Sequence, residues 1–144
     1  MNSLKIRKSI TYDIILNFDD KISPELQILN SVKKNFKNFS EVNRFINFNF
    51  PNGIQSVLLH FNELTNQELS KSVNIGFKKL RISEKVSKLI LTRLKILKLY
   101  KDGLNNLNIY LLKSGMFFFS NKILYKVADN IWFLSGDKSL DFNY

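Results

Sequence analysis

The chain has 144 residues, the length of roughly one domain, and 44% of them are apolar, which is enough for a packed core. It contains no cysteine and a single histidine. Disulfides, thiolate metal sites, cysteine nucleophiles and multi-histidine metal centres are therefore excluded. Composition predicts a folded protein without a cofactor or a metal.

The charge is strongly basic. Lys and Arg number 22 against 12 Asp and Glu, and the net charge of +10 favours an anionic partner, either nucleic acid or an acidic membrane surface. Eighteen of the basic residues are Lys, and the chain also holds eighteen Asn, fifteen Ile and thirteen Phe. An AT-rich genome produces this composition by codon drift, so the charge alone does not establish a polyanionic partner.

The first residues resemble a signal peptide only in part. Basic residues precede Ile10, but Asp13 and Asn17 interrupt the apolar stretch and no small-residue cleavage site follows. The longest apolar runs, such as residues 116–119, are much shorter than the roughly 20 residues that span a bilayer. We therefore predict a cytoplasmic protein whose membrane contact is peripheral, on the inner face of the cytoplasmic membrane.

Apolar residues recur at helical spacing along almost the whole chain, which predicts an all-α fold. Ile6, Ile10 and Ile14 define a first helix that ends before Asp19. Ser23, followed by proline and glutamate, is a typical helix start, because the serine caps a backbone N–H and the proline needs no donor. Later helices are predicted at 41–46 after a Ser40 cap, at 54–64 with a restart at Thr65, from Ser83 to Gly103, at 104–113 before Gly115, and at 121–134 between Ser120 and Gly136.

The sequence offers no catalytic constellation. His60 has no Glu three residues before it, so the Glu-x-x-His and His-Glu-x-x-His metal motifs are both absent. We expect His60 to lie on a helix surface without a ligand role. Glycine-rich phosphate-binding loops are also missing. Asp19 and Asp20 lie between two predicted helices, where we expect them to cap a helix end and to be solvated instead of acting in acid–base catalysis. These features predict that the protein is not an enzyme.

DNA binding is one function that the predicted helices and the basic charge suggest. The first three predicted helices have the proportions of a helix-turn-helix, and the protein is basic. The candidate reading helix, residues 41–47, contains one arginine and one acid, and the turn at 37–39 lacks the customary glycine. Nucleic acid is therefore not the favoured partner.

The C-terminal segment resembles a family signature. Ala128-Asp129-x-Ile131-Trp132, followed by Gly136-Asp137-x-Ser139-x-Asp141-Phe142-Asn143, is similar to the closing motif of the coenzyme-Q-nine family of ubiquinone biosynthesis proteins. Further elements occur in the family's order: Phe50-Pro51-x-Gly53, Leu59-x-Phe61, Asn66-x-x-Leu69, Arg81-Ile82 and Thr92-Arg93-Leu94. The family motif continues into Trp-Tyr-Thr-Lys-Arg, whereas this sequence ends at Tyr144, so we expect a C-terminally truncated version.

The resemblance implies a TetR-like helical bundle. Residues 1–66 would form degenerate helix-turn-helix elements and residues 67–144 a truncated lipid- and partner-binding body, packed together as one unit. The implied function is that of a non-catalytic accessory protein, which binds an isoprenoid or quinone lipid and presents the quinone precursor to the di-iron demethoxyubiquinone hydroxylase. A TetR-type transcriptional regulator and a truncated remnant without retained function remain the alternatives. A second copy of the chain, in a homodimer, is a further candidate partner.

The resemblance also implies two sets of site residues. The expected docking surface for the hydroxylase consists of Asp129, Ile131, Asp137, Asp141 and Asn143, with Trp132 as its packed support. The lipid is expected to contact apolar residues on two facing helices. These residues are Val86, Ile90, Leu94 and Leu97 on one side and Phe117, Leu124 and Val127 on the other.

Overall fold

The computed structural model describes residues 3–136. Eight α-helices occur in this range, with a short 3-10 turn at Lys98–Tyr100. They are α1 (Ser3–Leu16), α2 (Pro24–Lys33), α3 (Phe39–Asn49), α4 (Ile54–Ser70), α5 (Ile75–Lys78), α6 (Ile82–Leu97), α7 (Lys101–Lys113) and α8 (Phe117–Ser135). Residues 3–136 contain no strand, and the predicted all-α class is confirmed.

The start of α2 is confirmed at the predicted residues. The Ser23 side chain accepts a hydrogen bond from the backbone N–H of Leu26, and Pro24 is the first helical residue. The turn that precedes it is closed by Gln27, whose side-chain amide donates to the carbonyl oxygen of Asp19 at 2.8 Å and accepts from the Asp19 N–H at 2.9 Å. This exchange holds the C-terminal end of α1 against α2.

The predicted cap of α3 at Ser40 is wrong by two residues. Asn38 is the N-cap, because its side-chain oxygen accepts the backbone N–H of Glu41 at 2.9 Å. Ser40 lies inside the first turn and donates its hydroxyl to the same Asn38 oxygen at 2.8 Å. The serine therefore supports the cap instead of forming it.

The predicted restart at Thr65 is also wrong, since α4 continues without interruption to Ser70. The Thr65 hydroxyl is buried and donates to the carbonyl oxygen of Phe61 at 2.9 Å, one turn earlier. Because the Thr65 hydroxyl is hydrogen-bonded within α4, it does not act as the N-cap of a new helix. The expected boundary between residues 66 and 67 falls within this continuous helix.

The predicted ends of α6 need two corrections. Ser83 lies within the first turn, which begins after Arg81 without a side-chain cap. Gly103 does not end the helix but lies inside α7, where it is buried against the backbone of α1. The sequence analysis also missed α5, a single turn capped by Asn74, which buries Phe77.

The last helix begins earlier than predicted. Gly115, with a φ of +73°, separates α7 from α8, and α8 starts at Phe117 instead of after Ser120. Its C-terminal end at Gly136 is confirmed, because that glycine adopts a left-handed conformation with a φ of +72°. No helix within residues 3–136 combines the length and the apolar character needed to cross a membrane.

The helices pack around two apolar clusters. The larger one is formed by α1 to α4 and α7, and it contains Ile15, Val32, Val57 and Leu107 among its buried side chains. The smaller one joins α4, α5 and α6 through three buried residues, Leu69, Phe77 and Leu89. We call this smaller set the Leu89 cluster.

Trp132 was expected to be the packed support of the docking surface, but its side chain is not buried. Its side chain is 40% exposed. Ile131 and Leu134, which are three residues apart on one side of α8, pack against the Leu89 cluster instead. The intervening Trp132 is turned away because successive helical residues point in different directions.

Candidate functional site

A groove of about 340 Å³ lies between α4, α6, α7 and α8. Its volume falls at the small end of the range of roughly 300 to 1,000 Å³ that is usual for ligand pockets. Most of its lining is apolar. The wall comprises Leu58, Phe61 and Asn62 of α4, Arg93 and Leu97 of α6, Leu104, Leu107, Asn108 and Leu111 of α7, and Ser120, Ile123, Leu124 and Val127 of α8.

The two sides of the groove differ in burial. The floor is formed by Phe61, Leu107 and Leu111, which are fully packed in the larger cluster. The α8 side is looser, because Leu124 is 66% exposed although it lines the groove. The groove therefore combines a rigid apolar floor with an apolar outer wall that faces solvent.

Polar side chains are concentrated where α4 and α6 meet. The Arg93 guanidinium donates to the Asn62 side-chain oxygen at 2.8 Å and to the Asn66 side-chain oxygen at 3.0 Å. Asn62 is buried, and the two asparagines are one helical turn apart on α4. Burial lowers the pKa of the Arg93 guanidinium from its ordinary value, but arginine stays protonated at neutral pH.

This polar cluster was only partly visible in the sequence. Arg93 was named only as part of the Thr92-Arg93-Leu94 element, without a role of its own, and Asn62 and Asn66 were not singled out as a pair. Their spacing of four residues within an otherwise apolar helix face is the signal that would have found them. The sequence alone does not show that an arginine from another helix reaches both.

The structure brings together some of the predicted lipid-contact residues. Leu97, Leu124 and Val127 line the groove. The other four do not form part of its wall: Val86 is half-buried, while Ile90, Leu94 and Phe117 are exposed. Lipid contact remains a prediction for all seven.

The predicted docking residues fall partly outside the described range. Asp129 is exposed on α8, and Ile131 is half-buried against the Leu89 cluster. Asp137, Asp141 and Asn143 lie outside residues 3–136. Trp132 is exposed on α8, so it belongs to the surface of that helix and is not a packed support beneath the docking residues.

The outer side of α8 is unusually apolar for a surface helix. Phe117, Phe118, Tyr125 and Phe133 are all exposed, and Phe118 is 85% exposed. Single exposed apolar residues are ordinary, but a helix with several large ones is typical of a surface that contacts a lipid or another protein.

His60 was expected on the helix surface, and this expectation is wrong. Its side chain is only 11% exposed, and neither ring nitrogen makes a hydrogen bond in the described structure. Burial lowers the pKa of His60, and the positive charge of Arg7 lowers it further, while Glu63, 3.7 Å away, opposes the shift. Within residues 3–136, no three or more acidic or histidine side chains are grouped so that they could hold a metal ion.

The described chain is thus an all-helical protein with an apolar groove and a polar cluster at one of its helix junctions. The COQ9 family model matches residues 119–144, a short region that includes most of α8, and this match is consistent with a COQ9-family protein. The family is a non-catalytic accessory family of ubiquinone biosynthesis. No curated protein and no solved structure matches the chain.

Proposed function

We propose that the chain is a non-catalytic accessory protein of ubiquinone biosynthesis. It holds an isoprenoid or quinone lipid in the groove and presents the quinone precursor to the demethoxyubiquinone hydroxylase. One observation carries the proposal: the segment that matches the family supplies the α8 wall of the groove, including Ile123, Leu124 and Val127.

The composition of the groove supports a lipid ligand. An apolar chain lying on Phe61, Leu107 and Leu111 would remove apolar surface from water on both sides, which stabilises a complex by about 25 cal/mol per Å². The floor is already packed and would not need to reorganise. The exposed side chain of Leu124 would be covered in the same step.

Lipid extraction and mass spectrometry of the purified protein test this function. The unmodified chain is expected to carry an isoprenoid or quinone lipid. Val127→Trp should reduce the bound amount because the larger side chain fills the groove, whereas Tyr125→Trp should not, since Tyr125 is exposed on α8 and does not line the groove. An unmodified protein that carries no such lipid would contradict the proposal.

For docking to the hydroxylase, we propose the surface around Asp129, Ile131, Asp137, Asp141 and Asn143. A local group of acids on a basic protein would contribute orientation and association rate more than affinity. Asp129 is exposed and available for such a contact.

Charge reversal tests this docking surface. The double variant Asp129→Lys with Asp137→Lys should lose co-purification with the hydroxylase and keep its melting temperature. Asp102→Lys combined with Glu25→Lys is the matched control, because both are exposed acids in the first turn of a helix, α7 and α2, and the net charge changes by the same amount. Equal binding by the double variant and the control would exclude this surface.

We also propose peripheral contact with the inner face of the cytoplasmic membrane. The net charge of +10 and the exposed aromatic residues of α8 suit an anionic lipid surface. Vesicles containing phosphatidylglycerol should co-sediment the protein, and Phe118→Ser should weaken this binding. Sedimentation that is identical with vesicles of neutral phosphatidylcholine, or unaffected by the substitution, would contradict the contact.

A further inference from the structure

The polar end of the groove contains a positive charge that the described protein does not neutralise. Arg93 lines the groove and is held by two neutral amide oxygens, those of Asn62 and Asn66. Within residues 3–136, no Asp or Glu side chain lies at salt-bridge distance from its guanidinium. A partly buried arginine in an apolar wall is ordinarily paired with a carboxylate, because desolvating an unpaired charge is costly.

The geometry of the guanidinium leaves donors available. It has five N–H groups, and two of them are used for Asn62 and Asn66. The two asparagines fix the plane and the position of the guanidinium without cancelling its charge. The remaining N–H groups of such a planar fork match the two oxygens of a carboxylate.

We propose that Arg93 is the recognition residue for an anionic head group, and that the groove selects lipids with a carboxylate attached to a single apolar chain. This inference rests on the proposed lipid groove and adds to the neutral quinone precursor a second ligand class, carboxylate lipids, which the groove binds more tightly. The chain of the lipid lies on the floor formed by Phe61, Leu107 and Leu111, and the carboxylate accepts hydrogen bonds from Arg93. Asn62 and Asn66 act as positioning residues.

Calorimetric titration with two probes of equal chain length tests the selectivity. Dodecanoate carries the carboxylate, and dodecanol carries a neutral hydroxyl. The unmodified protein should bind dodecanoate about ten- to a hundredfold more tightly, the range expected for hydrogen bonds to a charged group. Arg93→Gln should remove this preference, so that the variant binds dodecanoate and dodecanol with equal affinity.

Arg81→Gln is the matched control, since it removes the same charge from a side chain that is 89% exposed and outside the groove. It should leave both affinities unchanged. Arg93→Lys keeps the charge without the planar fork and should retain only part of the carboxylate preference. Arg93→Lys also replaces Arg93→Gln as the test variant if the latter does not fold, which the melting temperature of each variant would reveal.

The outcomes separate this inference from the function on which it rests. Equal affinity of the unmodified protein for both probes would overturn the role of Arg93 and leave the lipid groove standing. Binding of neither probe would count against the groove itself. A carboxylate preference that persists unchanged in Arg93→Gln, or that disappears equally in Arg81→Gln, would also overturn the assignment.

Discussion

Gly103 of α7 lies directly against the carbonyl oxygen of Ile15 on α1, so closely that a Cβ atom at Gly103 would stand 1.8 Å from it. Three residues further along α7, the Asn106 side-chain amide donates to the carbonyl oxygen of Phe18 at 2.9 Å. These two contacts place α7 on the C-terminal end of α1. The position of the groove floor depends on them, because Leu107 and Leu111 belong to the same helix.

We expect Gly103→Ala to destabilise the protein despite the higher helix propensity of alanine. The added methyl group cannot fit without separating α1 from α7, and overpacking of this kind costs on the order of 1 to 3 kcal/mol or more. Chemical denaturation would measure the change. Gly76→Ala is the control, because its Cβ would approach only the Asn74 side chain, at 3.4 Å. Equal stability of the two variants would contradict the close approach.

The start of α3 gives a second test. Asn38→Ala should cost about 0.5 to 2 kcal/mol, because the backbone N–H of Glu41 loses its acceptor. Ser40→Ala should cost less, since its hydroxyl bonds only the Asn38 side chain. Thermal denaturation of the two single variants would rank them, and a larger loss for Ser40→Ala would restore the serine as the cap.

Leu89 and Trp132 should differ strongly in their contribution to stability. Leu89 is completely buried between Leu69 and Phe77, so Leu89→Ala should cost about 2 to 5 kcal/mol through the cavity that it leaves. Trp132→Ala should cost about 1 kcal/mol or less, because the indole is substantially exposed. Urea unfolding midpoints would decide. A larger loss for Trp132→Ala would mean that the indole is packed after all.

His60 should make folding stability depend on pH. Burial and the charge of Arg7 hold its folded-state pKa below the ordinary value of 6.5, so below about pH 6.5 the unfolded chain binds the proton more readily. The stability that the protein has with a neutral His60 ring is fully present above about pH 6.5, and it is lost as the pH falls toward the folded-state pKa.

The measurement is the difference in unfolding free energy between the unmodified protein and His60→Gln from pH 8 down to pH 5. The unfolding free energy of the unmodified protein, relative to that of His60→Gln, should decrease as the pH falls. Protonation of the buried ring is unfavourable in the folded state, and glutamine does not titrate. A difference that stays constant with pH, or that grows on acidification, would show that burial does not govern this group.

The sequence predicts the ends of a helix correctly where the end is determined by a few adjacent residues. Ser23 with Pro24, and Gly136 after α8, mark helix ends through side-chain capping and left-handed backbone conformation, both of which depend on a few adjacent residues. Gly103 is the same residue type as Gly136, but its role depends on a distant partner, the backbone of α1. Thr65 can cap a helix in other contexts, but here its hydroxyl donates to the carbonyl oxygen of Phe61 within α4. The sequence patterns there predicted ends inside continuous helices.

The candidate site shows the same division. The sequence by itself determined an all-helical chain without cysteine or a multi-histidine centre, and it carried the closing motif that the family model matches. Only the tertiary structure decided that Arg93 meets Asn62 and Asn66, that Leu97, Leu124 and Val127 share one groove, and that Trp132 faces outward. The physical reason is that apolar periodicity identifies which residues share a helix face, whereas the helix that covers this face is chosen by packing between segments far apart in the chain.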